Sequence, residues 1–252
     1  MNKSAFLLLA CLFCFCLPQF SFAQHPNVFL KDVYDLGWCQ DKGIKVLHSG
    51  GGVYELTNGV PISKKSRDVT FEQDGRLIKQ TMGKVNFKVQ TFLTADLKRL
   101  SSISMGPIST YYFYNEQNQL AYKINHSNRG NSNYRSGREF SMEEVEWDAE
   151  GKMTQKIIYA YDKPLTSFME DVARLQSENR RLCEKWEYIY NEKGELQIIK
   201  IRQFDMGIDD PEKTTTLVKV SHENGLPVSM NIQSANVATQ AFGNNRTFEY
   251  EF

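Results

Sequence analysis

The chain is 252 residues long, with 30 Lys and Arg against 30 Asp and Glu and 41% hydrophobic residues. Balanced charge excludes a partner gripped through a basic face, so no nucleic acid is expected. A chain of this size and ordinary composition buries a sizeable core, in one domain or one elongated sheet.

Residues 1–23 read as a signal peptide. Lys3 supplies the charged start, an apolar run follows to Leu17, and Ser21 and Ala23 form the small-residue cleavage pattern. Cleavage after Ala23 leaves a single domain, residues 24–252, exported to the periplasm or the extracellular space. The apolar run is shorter than the ~20 residues a membrane span requires, and Pro18 interrupts it. Lipidation at Cys11 would cut inside that run. Three of the five cysteines leave with this segment, and Cys39 and Cys183 remain. An oxidising compartment permits a bridge between them, contributing ~4 to 5 kcal/mol on the chain-entropy view, but sequence cannot bring two thiols within reach and leaves the pair open.

In chain order, residues 28–36 and 43–47 are expected as strands. The run Gly50, Gly51, Gly52 then breaks the chain, and Asn58-Gly59 followed by Pro61 marks a divergent hairpin echoed at Asn224-Gly225. From residue 69 one unit recurs, clearest at residues 186–202. Trp186, Tyr188 and Tyr190 alternate with Glu187 and Ile189, a turn follows at Asn191, and Leu196 opens a return strand. Five copies place an anchor four residues before a turn-former: Gly75, Asn118, Gly151, Gly194 and Gly225. Glycine, or Asn as its best substitute, supplies the positive φ that a type I turn with a bulge requires. One face is thereby apolar in four copies: Val69 and Phe71, Tyr112 and Tyr114, Val145 and Trp147, Tyr188 and Tyr190. In the fifth, Val218 and Val220 fall on the opposite parity, which implies a longer turn.

Residues 125–141, rich in Asn, Ser, Arg and Gly, read as a long exposed loop, either a binding loop or a solvated insertion. Ser167 and Glu170 form a capping-box pattern after Pro164, and Phe168, Val172, Leu175 and Leu182 make one apolar stripe. A helix over 167–183 is therefore expected to cover one face of the sheet. The chain closes with Phe248, Tyr250 and Phe252 alternating with glutamates. The fold class is mainly β: an antiparallel sheet of repeated β-hairpins, a single open sheet or partly closed, with one α-helix packed on one face.

The blocks FEQDGRL, YNEQNQL, WDAEGKM and YNEKGEL resemble the YD, or RHS-type, repeat: an aromatic, Asp or Asn, two variable residues, Gly, a polar residue and Leu. The spacing is irregular and the copies few, unlike the long arrays of that family. The chain resembles more the small exported proteins of Bacteroidetes that carry a few such hairpins, mostly without an assigned activity.

No nucleophile elbow, phosphate loop or Rossmann glycine pattern occurs, and the four histidines show no metal spacing. No cofactor or metal is expected. His48 before Gly50 is better read as a connector than as an oxyanion loop, and Asp205 to Glu212 as an acidic turn than as a calcium site. The best functional expectation is a non-enzymatic binding or scaffold protein for an unknown protein, glycan or other extracytoplasmic ligand, taken on an exposed aromatic strip at Tyr112, Tyr188 and Tyr190. Two alternatives are an outer-membrane β-barrel, suggested by the terminal aromatics and opposed by charges on both faces, and a hydrolase without a motif.

Overall fold

The computed structural model describes residues 30–49, 52–57, 60–63, 66–72, 74, 76–82, 87–105, 108–127, 141–161, 180–204, 216–234 and 245–252. One short helix, α1 (Leu36–Asp41), precedes sixteen strands. They are β1 (Val46–Ser49), β2 (Gly52–Thr57), β3 (Val60–Ser63), β4 (Arg67–Glu72), β5 (Leu77–Met82), β6 (Phe87–Leu93), β7 (Leu100–Met105) and β8 (Ile108–Tyr114). They continue as β9 (Leu120–Ser127), β10 (Ser141–Trp147), β11 (Met153–Ala160), β12 (Arg181–Tyr190), β13 (Leu196–Gln203), β14 (Thr216–Glu223), β15 (Leu226–Ser234) and β16 (Asn245–Glu251).

All sixteen form one antiparallel sheet in the order β3-β2-β1-β16-β15 and so on down to β4. Strands β3 and β4 thus stand at opposite edges, although only residues 64–66 join them. A flat sheet would hold its edges roughly 70 Å apart at about 4.8 Å per strand, whereas so short a link reaches about 15 Å. The sheet must therefore curl until its edges approach. Ile62 of β3 accordingly packs into the apolar cluster built by β5 to β9. No ladder joins β3 to β4 among the described residues, so the sheet stays open along this seam.

Three hairpin turns repeat one chemistry. Asn118, Gly151 and Gly194 have φ of 61°, 80° and 78°, and each donates its N–H to the carbonyl three residues back, on Asn115, Asp148 and Asn191. Register slips by one residue at the same place in each, just before Tyr114, Trp147 and Tyr190. The carboxylate or amide at the turn's first position accepts backbone N–H groups, two for Asp148 and two for Asn191. Gly75 lies outside the described residues. Gly225 (φ 75°) follows Asn224 (φ 52°) in a two-residue loop between Glu223 and Leu226. That loop is shorter than the sequence suggested. Asn-Gly tolerates two positive φ angles in succession, and a register shift at Ser221/His222 makes the change of face.

The aromatic face of the hairpins points inward, except at Phe71 on the edge strand β4, which is 47% exposed. One cluster gathers Trp186, Tyr188, Ile199, Ile201, Val218, Val220, Met230, Ile232 and Phe248 around Leu30 and Tyr34 of the N-terminal segment. A second gathers Ile78, Val89, Leu93, Leu100, Ile103, Tyr112 and Leu120. Residues 30–42 lie against this inner face as a turn and then α1, capped by the Asp35 carboxylate accepting from Trp38 N–H, instead of the expected strand over 28–36. The segment bridges distant walls: the Tyr34 hydroxyl meets His222 Nε2 at 2.6 Å near the β14–β15 turn, and Gln40 donates to the Leu97 carbonyl between β6 and β7.

Two further expectations change. Arg181, Leu182 and Cys183 open β12, so the helix expected over 167–183 does not include them, and residues 167–179 lie outside the described residues. Cys39 and Cys183 are both free and buried rather than bridged. Cys183 sits where β12 bulges against β11, its thiol facing the Arg181 carbonyl, while Cys39 is enclosed in α1, where burial pushes its thiol up to about 12.

Candidate functional site

The inner face carries charge where a core would normally carry none. Lys123 on β9 stands cross-strand from Tyr112 and from Glu143, and Lys156 on β11 cross-strand from Val145 and Trp186. Both lysines converge on Asp32 of the N-terminal segment. Lys156 Nζ lies 2.7 Å from one carboxylate oxygen, and Lys123 Nζ bonds the other. Glu143 adds a second acceptor, 3.4 Å from Lys123 and 3.9 Å from Lys156. The Asp32 and Lys123 side chains are each 1% exposed.

Isolated charges at such depth would cost several kcal/mol apiece, so the geometry must compensate. Burial alone would raise the Asp32 carboxyl, but the ammonium groups of Lys123 and Lys156 hold it well below the ordinary carboxylate range. The same lysines outweigh burial at Glu143 and hold it low. Burial likewise opposes the charged form of Lys123, and Asp32 and Glu143 raise it above the usual lysine value. Lys156 is further held over the Trp186 ring at 3.6 Å, a cation–π contact in a dry setting. Chemically the cluster clamps the N-terminal segment to the wall of the curled sheet.

Lys31 is the exception. It is buried at 8% exposure, and burial followed by the nearby Lys123 lowers its ammonium to about 8. Tyr188, facing the same charges, has a buried hydroxyl without a hydrogen-bond partner among the described residues.

The rings expected as a ligand strip are therefore placed elsewhere. Tyr112 is 7% and Tyr188 5% exposed, both inside the core, and Tyr190 is half-buried with its hydroxyl donating to the Met153 carbonyl. The polar wall lies outside instead. Glu55, Lys88, Gln90, Glu146, Lys219 and Glu249 are exposed on the side opposite the core. At the turn end an open groove of about 710 Å³ runs between the β8–β9 and β10–β11 turns, lined by Asn115, Gln117, Gln119, Glu146, Trp147 and Glu150 among others. It is polar and braced from beneath by the Trp147 indole N–H donating to the Leu120 carbonyl. Among the described residues no group of three His, Cys, Asp or Glu side chains is placed to hold a metal, and no helix is long and apolar enough to cross a membrane.

The ionic cluster was missed in the sequence, yet a signal for it exists. The fifth residue after the turn-former is Gln80, Lys123, Lys156 and Ile199 in four successive copies. Each sits on the buried face, and three of the four are polar. Counting across the turn from Tyr112 would have set Lys123 against an aromatic face. Asp32 had no such marker, because nothing periodic links it to the hairpins.

No protein-family model matches the chain, and no curated protein sequence matches it. Among solved structures it is similar to a porin-like protein from Bacteroides uniformis, with 9% identity and a TM-score of 0.30 over 83% of this chain and 87% of that one. It is also similar to the TcdB2-TccC3-TEV structure, with 8% identity and a TM-score of 0.18, over 77% of this chain but 14% of that one.

Proposed function

We propose that this protein is an exported, non-enzymatic binding or scaffold protein built from YD/RHS-like hairpins, facing water rather than lipid. The reading includes removal of residues 1–23, one domain over 24–252 and an extracytoplasmic ligand. The observation that supports it is the direction of the faces. Most of the apolar core fills the concave side, while glutamates, lysines and glutamines stand exposed on the convex side, where the apolar side chains of Ile124, Met142, Phe113 and Tyr122 form a single local cluster with Tyr161 among the described residues. A barrel in an outer membrane requires the reverse, an apolar band outward and a polar lumen. Sixteen meandering strands with β1 beside β16 also suit such a barrel in topology, but the chemistry of the two faces opposes it. The ligand surface in this reading is the groove at the turn end, rigid because each flanking turn is closed by its own Asn or Asp.

Fractionation of cells expressing the full chain tests this, with intact-mass analysis and migration in detergent with and without heating. A soluble species beginning at Gln24, with two free thiols, is expected. A membrane-embedded, heat-modifiable species would overturn the reading in favour of the barrel. Glycan and peptide arrays probed with the soluble protein then locate the surface: Gln117→Ala with Glu150→Ala lowers capture while leaving the melting curve unchanged.

A further inference from the structure

The N-terminal segment is fastened to the sheet by two kinds of bond. At its start Asp32 meets Lys123 and Lys156, which hold its carboxyl well below the ordinary carboxylate range. Further on, Tyr34 is 6% exposed and sets its hydroxyl 2.6 Å from His222 Nε2 on β14. The phenol oxygen also accepts from the Leu196 backbone N–H of β13, so its own proton lies on the line to His222. Nε2 can accept that proton only while the imidazole is neutral and carries its hydrogen on Nδ1.

A protonated His222 carries N–H groups at both nitrogens. Two donors then face each other across 2.6 Å, and the phenol proton must turn away inside a site closed to water. The groups around the ring do not rescue the charge. Tyr34 faces it from the N-terminal segment, and Glu195 acts on it from the β12–β13 turn, but that carboxylate already accepts from the Asn191 amide at 2.9 Å. Glu223 follows it on its own strand, and Pro227, its partner across the ladder on β15, carries no charge. Burial outweighs Glu195 and lowers the imidazole from its ordinary value near ~6.5. The folded chain therefore takes this proton less readily than the unfolded chain. The contribution of the bond is complete above about pH 6.5 and is lost as pH falls from there through the lower folded value. Over that range Asp32 stays ionised, so one fastening yields while the other holds.

We propose that the Tyr34–His222 bond is an acid-sensitive latch: protonation of His222 frees Tyr34 and α1 from the rim, while Asp32 keeps the start of the segment clamped to the wall. The freed stretch carries Tyr34 and Trp38, whose rings lie 4.6 Å apart against the apolar cluster of the inner face. Mild acid thus uncovers apolar surface beside the β14–β15 turn and leaves the sheet folded.

The two thiols report the two regions separately. Cys39 is 2% exposed within α1, and Cys183 is 0% exposed within β12. The full mature chain with both thiols free is labelled with dithiodipyridine, which reacts in acid as well as at neutral pH, and each cysteine is followed by peptide mass mapping. The expected result is a rise of roughly tenfold in the labelling rate of Cys39 relative to Cys183 between about pH 7 and pH 5, the scale of one buried donor losing its acceptor. His222→Gln, whose amide oxygen accepts from the phenol at every pH, keeps the slow rate throughout. Tyr34→Phe, which has no bond to lose, shows the fast rate at both pH values. A wild-type ratio that does not change with pH would overturn the proposal. So would a His222→Gln protein that still accelerates in acid, which would put the titrating group elsewhere, or an equal acceleration at Cys39 and Cys183, which would show the whole sheet loosening.

Discussion

The two faces of the sheet carry similar ion pairs with different consequences. On the outer wall Glu187 meets Arg202 at 3.4 Å and Lys185 at 3.9 Å, all three side chains about a quarter to a third exposed. On the inner wall Asp32 meets Lys156 at 2.7 Å, and both are almost wholly buried. Water screens the outer pairs, and such pairs are worth about 0 to 1 kcal/mol. Inside there is no water to take back a separated charge, so the pairs act as a clamp on the N-terminal segment. Location, not chemistry, decides whether a lysine beside a carboxylate holds this fold together.

The comparison can be broken most severely by emptying the inner face. Replacing Tyr112, Tyr188 and Tyr190 together by Ala should unfold the protein outright, because each large buried ring contributes roughly 3 to 5 kcal/mol and whole domains are stable by about 5 to 15. Far-UV circular dichroism checks it, and a folded triple variant would restore the aromatic strip as an exposed surface. Next in size, Asp32→Asn removes the nearest carboxylate from Lys123 and Lys156, leaving them the more distant Glu143, and should cost about 3 to 5 kcal/mol by urea unfolding. Truncation of Glu187 to Gln, by contrast, should move the midpoint by less than about 1 kcal/mol.

Acid sharpens the same contrast. The Asp32 carboxyl is lower in the folded chain than its unfolded value near ~3.9, so its contribution is complete above that pH and is lost as pH falls toward the depressed folded value. Wild type and Asp32→Asn should therefore differ by a constant amount between pH 5 and 7 and converge only below about pH 4. The smaller effects belong to the turns. Gly194→Ala meets both a positive φ and the Lys152 side chain at 3.2 Å, and should cost about 1 to 2 kcal/mol without altering the inner clamp.

The hairpins were legible because their information is local. Asn191 and Gly194 specify a turn, the turn fixes the register, and the register sets Trp186, Tyr188 and Ile199 on one side. The divergent hairpin at Asn58-Gly59 follows the same logic, with Thr57 paired to Val60. The N-terminal segment was not legible in this way. Residues 28–36 carry enough apolar side chains to suggest a strand, but Asp35 caps a helix and Asp32 is held by lysines 91 and 124 residues away. The candidate site suffered for the same reason, since its members come from four places in the chain.

By itself the sequence determined a mainly antiparallel sheet of bulged hairpins with one aromatic face, because turn chemistry and a period of two act over a few residues. Only the tertiary structure decided which way that face points. A three-residue link between the two edge strands makes the sheet curl, curling gives it an inside, and the inside collects the aromatic rings, the N-terminal segment and the charges of Lys31, Asp32, Lys123, Glu143 and Lys156. Alternation along a strand distinguishes two faces but cannot say which one loses its water.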